Sequence, residues 1–301
     1  MTMRAVTALL LLLAPVAAAQ EAQATFDLRK ANDYKPVVGD RVQSESSDRQ
    51  SKHIVVKSGE QVVQDQSEVA GEVTTYTDEV LTVDDAGKLM TARRTYATFR
   101  DQSTDQDVQV AGLKVLLTRG ADGKHTFAAE EGATLPPALQ LSLEAEAEKQ
   151  DENEGKEDAQ KDALLPETPV AVGATWDVPP ARVLETFGFD PATNVLDPKT
   201  TACGTLVKTE ERDGVTLVTV HIELKLLFST FQSLVFPDPA SFDIDMEVVF
   251  PADGSAPIGE AKITGAFAGT TSVPPQPGAP PMTLSIDMDI QSGDVRTRAK
   301  E

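Results

Sequence analysis

Three separate runs in the second half of the chain alternate apolar and polar residues with a period of two. In Val215–Phe228, Val218, Val220, Ile222, Leu224 and Leu226 fall on one side, and Thr219, His221, Glu223 and Lys225 on the other. In Phe242–Phe250, Phe242, Ile244, Met246 and Val248 oppose Asp243, Asp245 and Glu247. In Met282–Gln291, Leu284, Ile286, Met288 and Ile290 oppose Ser285, Asp287, Asp289 and Gln291. Successive side chains of a strand point to opposite faces, so these runs predict a sheet packed on one face and wet on the other. Register is tightly specified, because a slip of one residue would carry every apolar side chain into water.

Turn chemistry supports the same architecture. Asp84-Asp85-Ala86-Gly87, Ala121-Asp122-Gly123, Arg212-Asp213-Gly214 and Ala252-Asp253-Gly254 each place Asp before or near Gly, and Gly accepts the positive φ of a tight hairpin without a steric penalty. The flanking runs Glu72–Val83, Lys88–Arg100, Asp107–Arg119, Thr205–Glu211 and Ile258–Thr270 then read as further strands of antiparallel meanders. Between the halves, Leu135 to Leu165 is rich in Leu, Ala, Glu and Lys. Propensity tips it towards a helix beginning after Pro136-Pro137, with a solvated break over Asp151–Asp158. A second short helix is expected at Pro180–Phe187, with Pro at its start and Gly188 past its end. The five prolines of Val273–Pro281 read as an extended connection. The fold class is therefore mainly β: long antiparallel strands in a curved sheet or open barrel, with one or two packed helices. A short echo, Pro36-Val37-Val38-Gly39-Asp40-Arg41-Val42 against Pro169-Val170-Ala171-Val172-Gly173-Ala174-Thr175-Trp176, raises the option of two related β-meanders. The organisation reads as a leader over 1–20, a polar N-terminal segment over 21–50, a first meander over 51–134, an acidic helical connection over 135–167 and a second meander over 168–301.

The leader expectation rests on Arg4, the apolar stretch Leu9–Leu13 with Ala14 and Val16, and the small residues Ala17, Ala18 and Ala19, the pattern of a secretory signal cut after Ala19 or Gln20. The stretch is short for a membrane span of ~20 residues, and no second apolar segment follows. Cys203 is the single cysteine, and Asn32, Asn153 and Asn194 all lie outside glycosylation sequons, which favours a bacterial periplasmic or extracellular location. With 48 acidic against 27 basic residues and a net charge of −21, nucleic acid is excluded as a partner, since phosphate binding needs a basic face.

The segment Leu165-Pro166-Glu167-Thr168-Pro169-Val170-Ala171-Val172-Gly173-Ala174-Thr175-Trp176 resembles the Leu-Pro…Pro-Val…Gly-x-x-Trp stretch of uncharacterised, signal-bearing, β-rich bacterial proteins, notably from planctomycetes. The general layout is similar to the unclosed barrel of periplasmic lipoprotein carriers. That second resemblance implies an apolar ligand cavity between sheet and helix; neither resemblance implies a catalytic residue. Trp176, the single tryptophan, follows Gly173 at a strand start and reads first as a seal on the core beneath the helical segment, with the wall of a ligand cavity as the sharper alternative.

Candidate chemistry is sparse. His53, His125 and His221 lie on three separate segments without metal-ligand spacing. Cys203 with His221 is the one nucleophile–base pair that neighbouring runs could form, against the simpler reading of Cys203 as a packed strand residue. Gly120-Ala121-Asp122-Gly123-Lys124 lacks the glycine spacing of a phosphate loop, and Asp151-Glu152-Asn153-Glu154-Gly155 lacks that of a calcium loop. The acidic strand faces are the sharper feature. Were Asp243, Asp245 and Glu247 to neighbour Asp287 and Asp289, like charges would sit ~4.5–5.5 Å apart. Interleaving by a strand carrying Lys, with Lys225 and Lys262 available, relieves this most simply; a divalent cation on Asp243, Asp245, Asp287 and Asp289 is the weaker alternative. No cofactor is expected. The leading reading is a secreted, non-catalytic module with a binding or structural role in the envelope or extracellular space. Its partner would be an envelope component or an apolar small molecule. The alternatives are a carrier of a lipid-like ligand beside Trp176 and a hydrolase using paired carboxylates.

Overall fold

In the computed structural model, which describes residues 24–31, 34–153, 163–273 and 281–299, strands dominate. The expected leader, most of the break over Asp151–Asp158 and most of the connection Val273–Pro281 lie outside the described residues. In chain order the elements are β1 (Thr25–Phe26), α1 (Leu28–Ala31), β2 (Arg41–Ser58), β3 (Gln61–Val83), β4 (Leu89–Asp101), β5 (Gln106–Val108), β6 (Lys114–Arg119) and β7 (His125–Ala129). They continue with α2 (Pro137–Asn153), β8 (Val170–Ala171), β9 (Thr175–Asp177), α3 (Pro180–Thr186), β10 (Val195–Leu196), β11 (Thr201–Arg212), β12 (Val215–Phe231), β13 (Leu234–Pro251), β14 (Gly259–Val273) and β15 (Met282–Arg298).

Every ladder is antiparallel, and tight hairpins close several of them. Asp213 and Gly214 close β11 onto β12 with φ of 52° and 78°, the left-handed pair that matches strand twist. Gln232 and Ser233 do the same between β12 and β13, at 47° and 66°, with no glycine to announce it. While β1 and β8 pair as a separate two-stranded sheet, a 13-stranded sheet results, ordered β7-β6-β4-β3-β2-β15-β14-β13-β12-β11-β9 with β5 on β4 and β10 on β12 beside that path. Its two ends do not meet, so the sheet is open rather than a closed barrel. The two halves of the chain join in its middle, where all 17 residues of β15 pair with β2, from Met282↔Ser58 to Arg298↔Val42. β2 starts at Arg41, ahead of the boundary expected at residue 51, and the expected strand over 107–119 divides into β5 and β6 around a turn at Gly112.

Two separate apolar clusters sit on the sheet. The larger takes the predicted inward residues of β12 and β13, with Val220, Leu224, Leu226 and Phe228 fully buried. Leu28 of α1, Leu164, Leu165, and Val183 and Leu184 of α3 cover it. Phe228, Phe231 and Phe267 fill its interior with ring centroids 5.0 and 4.9 Å apart. The smaller cluster joins Tyr96, Phe99, Val110 and Val115 of the sheet side to Leu139 and Leu143 of α2. Pro137 is itself the first helical residue, where its missing N–H costs nothing. The i, i+4 pair Leu139 and Leu143 forms the buried stripe, while Leu141 is 66% exposed.

Candidate functional site: two clefts beside the long helix

Inward positions of β4 run Ala92, Arg94, Tyr96, all buried. An arginine in that series must find counter-charges, because an unpaired buried charge is strongly disfavoured. Arg94 makes a two-pronged pair with Asp78 on β3 (Nε to Oδ1 2.9 Å, Nη2 to Oδ2 3.0 Å). It reaches across to Glu146 on α2 (Nη1 to Oε2 2.8 Å, Nη2 to Oε1 3.3 Å). Its guanidinium carbon lies 3.9 Å from the Tyr76 ring centroid, a favourable cation–π position. Burial alone would favour losing the charge, but Asp78 and Glu146 outweigh it and hold Arg94 protonated. A second tie lies further along the helix, where the His125 backbone N–H and Nδ1 both bond Asp151 Oδ1, at 2.7 and 2.9 Å. The backbone N–H bond, then the ring, draws the Asp151 carboxyl below its ordinary range.

These ties leave α2 standing over the sheet with a cleft on each side. The larger, about 840 Å³, is lined by Tyr76, Tyr96, Leu141, Glu72, Ser46 and Arg296 among others. The smaller, about 550 Å³, opens beside Lys35, Met90, Leu117, Arg119 and His125. Both fall within the ~300–1,000 Å³ of small-molecule sites. In the larger cleft burial pushes the Tyr96 hydroxyl up to about 12. Asp48, Glu72 and Asp101 are directly opposite one another on β2, β3 and β4. Asp101 is held ionised first by the Ser103 hydroxyl, at 2.6 Å, and by further bonds from Ser103 N–H and Thr104. Burial raises the Glu72 carboxyl, with Glu146 and Asp48 adding to the effect and Ser142 opposing it.

Apart from His125 and Asp151, the residues singled out from the sequence lie elsewhere. Trp176 is half-buried against the larger core; its Nε1–H donates to the Leu164 carbonyl at 2.9 Å. Its indole lies over Gly204, where an added Cβ would come within 2.3 Å of the ring. The cleft it lines is small, about 250 Å³, and is shared with Leu165, Pro179 and Arg182. Asp243, Asp245, Asp287 and Asp289 all project from the uncovered face, and β14 lies between them: Asp243 faces Ala266, which faces Asp289. Lys262 of that strand stands opposite Glu247, and Lys225 of β12 opposite Asp243. No group of three or more His, Cys, Asp or Glu converges as a metal site among the described residues. His53 bonds Asp65 at 2.8 Å and His221 bonds Asp245 at 2.7 Å, each between neighbouring strands. Cys203 stands opposite Glu223, while His221 stands opposite Thr205, so the thiol and the imidazole are not register partners.

The Arg94 cluster and its clefts were not anticipated from the sequence. The available signal was the inward parity of Arg94 between Ala92 and Tyr96; its two carboxylates come from 16 and 52 residues away.

No protein-family model matches the chain, and no curated protein matches it. Among solved structures, an outer membrane channel from Pseudomonas putida aligns at 7% identity over 86% of this chain and 98% of its own, with a TM-score of 0.16. A likeness of that size carries no argument about fold or activity. No described helix is long and apolar enough to cross a membrane.

Proposed function

We propose that the protein is an exported, non-catalytic binding module of the bacterial envelope or extracellular space, and that the larger cleft beside α2 receives its ligand. One observation carries the reading: Arg94 is engaged by Asp78 and Glu146 as the post that fixes α2, while half-buried Tyr76 and exposed Leu141 and Arg296 line the cleft beside it. Tyr76, Tyr96, Phe99 and Leu141 against Ser46 and Arg296 form the mixed apolar and polar lining typical of a small-molecule site. The leader pattern of the first twenty residues supports export. The histidines support a non-catalytic role, because each ties one element to its neighbour through an aspartate.

The test is native mass spectrometry of the purified protein after exposure to small-molecule fractions of bacterial envelope extract. Ala145, exposed on α2 and part of the cleft wall, is replaced by Trp to fill it. A ligand adduct on the wild type that A145W loses, with the ligand recovered unchanged, is the expected result. Equal binding by A145W, or conversion of the ligand, overturns the proposal.

A further inference from the structure

β3 is paired unequally along its length. Gln61–Glu79 bonds β2, but only Glu72–Val83 bonds β4. From Gln61 to Ala70 every residue is exposed, including Val62, Val63 and Val69 at 47, 53 and 39%. Which backbone groups face outward follows from two flanking bonds. Val80 exchanges bonds with Asp40 and Gly39 on the β2 side, while the Gly71 carbonyl accepts from Gln102 N–H on the other. The N–H and C=O of one strand residue point the same way and alternate along the chain. Asp65, Ser67 and Val69 therefore turn theirs to an edge that no other described strand pairs, a row that invites another strand.

We infer that this edge pairs antiparallel with the same edge of a second copy of the chain. A two-fold axis perpendicular to the sheet requires residues of like parity to oppose. Centring the axis on Gln66 places Gln66 opposite its mate, Asp65 opposite Ser67 and Gln64 opposite Glu68, within the regular register that ends at the bulge of Val63. No carboxylate then faces a carboxylate, and the outward-facing residues Asp65 and Ser67 become mutual backbone partners. Centring on Asp65 would set two carboxylates face to face, which is destabilising. Along this face the side chains already form a row within the strand: Gln64 Nε2 donates to Gln66 Oε1 at 3.1 Å, and Gln66 donates to Glu68. Each chain carries a net charge of −21, so pairing strengthens as salt screens the long-range repulsion.

The experiment is sedimentation equilibrium of the full chain over a range of protein and salt concentrations. Three variants accompany it, each checked by circular dichroism for unchanged strand content. Ser67→Pro removes an N–H that the β2 ladder does not use, which an edge strand tolerates. Ser67→Asp sets like charges opposite Asp65 twice per dimer, and Ser67→Lys sets opposite ones there. The wild type should shift from one-chain to two-chain mass with concentration, more readily at higher salt. S67P should stay at one chain. S67D should weaken pairing by about tenfold, and S67K tighten it. A wild type that stays at one chain throughout, larger assemblies, or pairing that ignores all three variants overturns the inference. These outcomes are independent of ligand binding beside α2.

Discussion

Glu72 shows how a single side chain reports its surroundings. It stands between Asp48 and Asp101 in one row across three strands, with Glu146 above it, and burial raises its carboxyl pKa. The folded state therefore holds the proton more tightly than the unfolded chain does. Stability is lost as pH rises from the ordinary carboxylate range through the raised folded value, and the loss is complete above it. Glu72→Gln imitates the protonated form at every pH. It should raise stability near neutrality by about 0.5–1 kcal/mol, the scale of a cross-strand like-charge contact, and leave it nearly unchanged in acid below the ordinary carboxylate range. Urea midpoints of the two proteins at about pH 7 and about pH 3, below the ordinary carboxylate range, check this; a variant less stable at neutral pH would show that Glu72 is a needed ionised partner. Arg94 is the counterpart at the same scale. Its inward parity was visible in the sequence, but its partners were not, because Asp78 and Glu146 meet it only after the hairpin and the helix have formed. Trp176 was visible as the single tryptophan and read first as a core seal; it packs on the larger core with its Nε1–H on the Leu164 carbonyl.

Among elements, legibility follows the number of wet faces. β12, β13 and β15 each pack one face and wet the other, so apolar and polar residues alternate and the strands could be read directly. α2 and α3 were legible from propensity and from their prolines. β2 was not: its middle, Gln43–His53, carries only polar side chains and Ser47–Gln50 is exposed throughout, and no alternation is demanded of a stretch wet on both sides. The same holds for the first ten residues of β3. The change from free edge to covered strand happens at Gly71, whose φ is 138°. An added Cβ there would meet the Asp48 carbonyl oxygen at 2.1 Å, so glycine lets β3 press against β2 where the ladder to β4 begins. Gly71→Ala should cost about 3 kcal/mol through steric conflict and backbone strain, measured as a fall in the denaturation midpoint. A change within a few tenths of a kcal/mol would mean that the two strands separate at that point without consequence.

At the scale of the whole molecule, the sheet is continuous but its apolar interior is not. The larger core lies under α1, α3 and the 163–165 segment, and the smaller under α2. Between them run β2, the start of β3 and β15. There, inward positions such as Lys52, Gln50, Gln64 and Gln66 replace apolar side chains, and the partners of Ile286 and Ile290 are Ile54 and Gln50. Hydrogen-bonded ladders therefore couple the halves where buried apolar area does not. Net stability from a backbone bond is modest, while apolar burial supplies most of the cooperative driving force. The two cores should accordingly open as separate units, each with its own free energy. Leu139→Ala, which empties a fully buried site in the smaller core, should cost about 2–5 kcal/mol there. Hydrogen exchange read by mass spectrometry should then find faster uptake in α2, β4 and β6, while β12, β13 and β14 keep wild-type protection. Uniform loss of protection across both sets of strands would show that the β2–β15 ladder transmits cooperativity, and that the sheet folds as one unit despite its divided core.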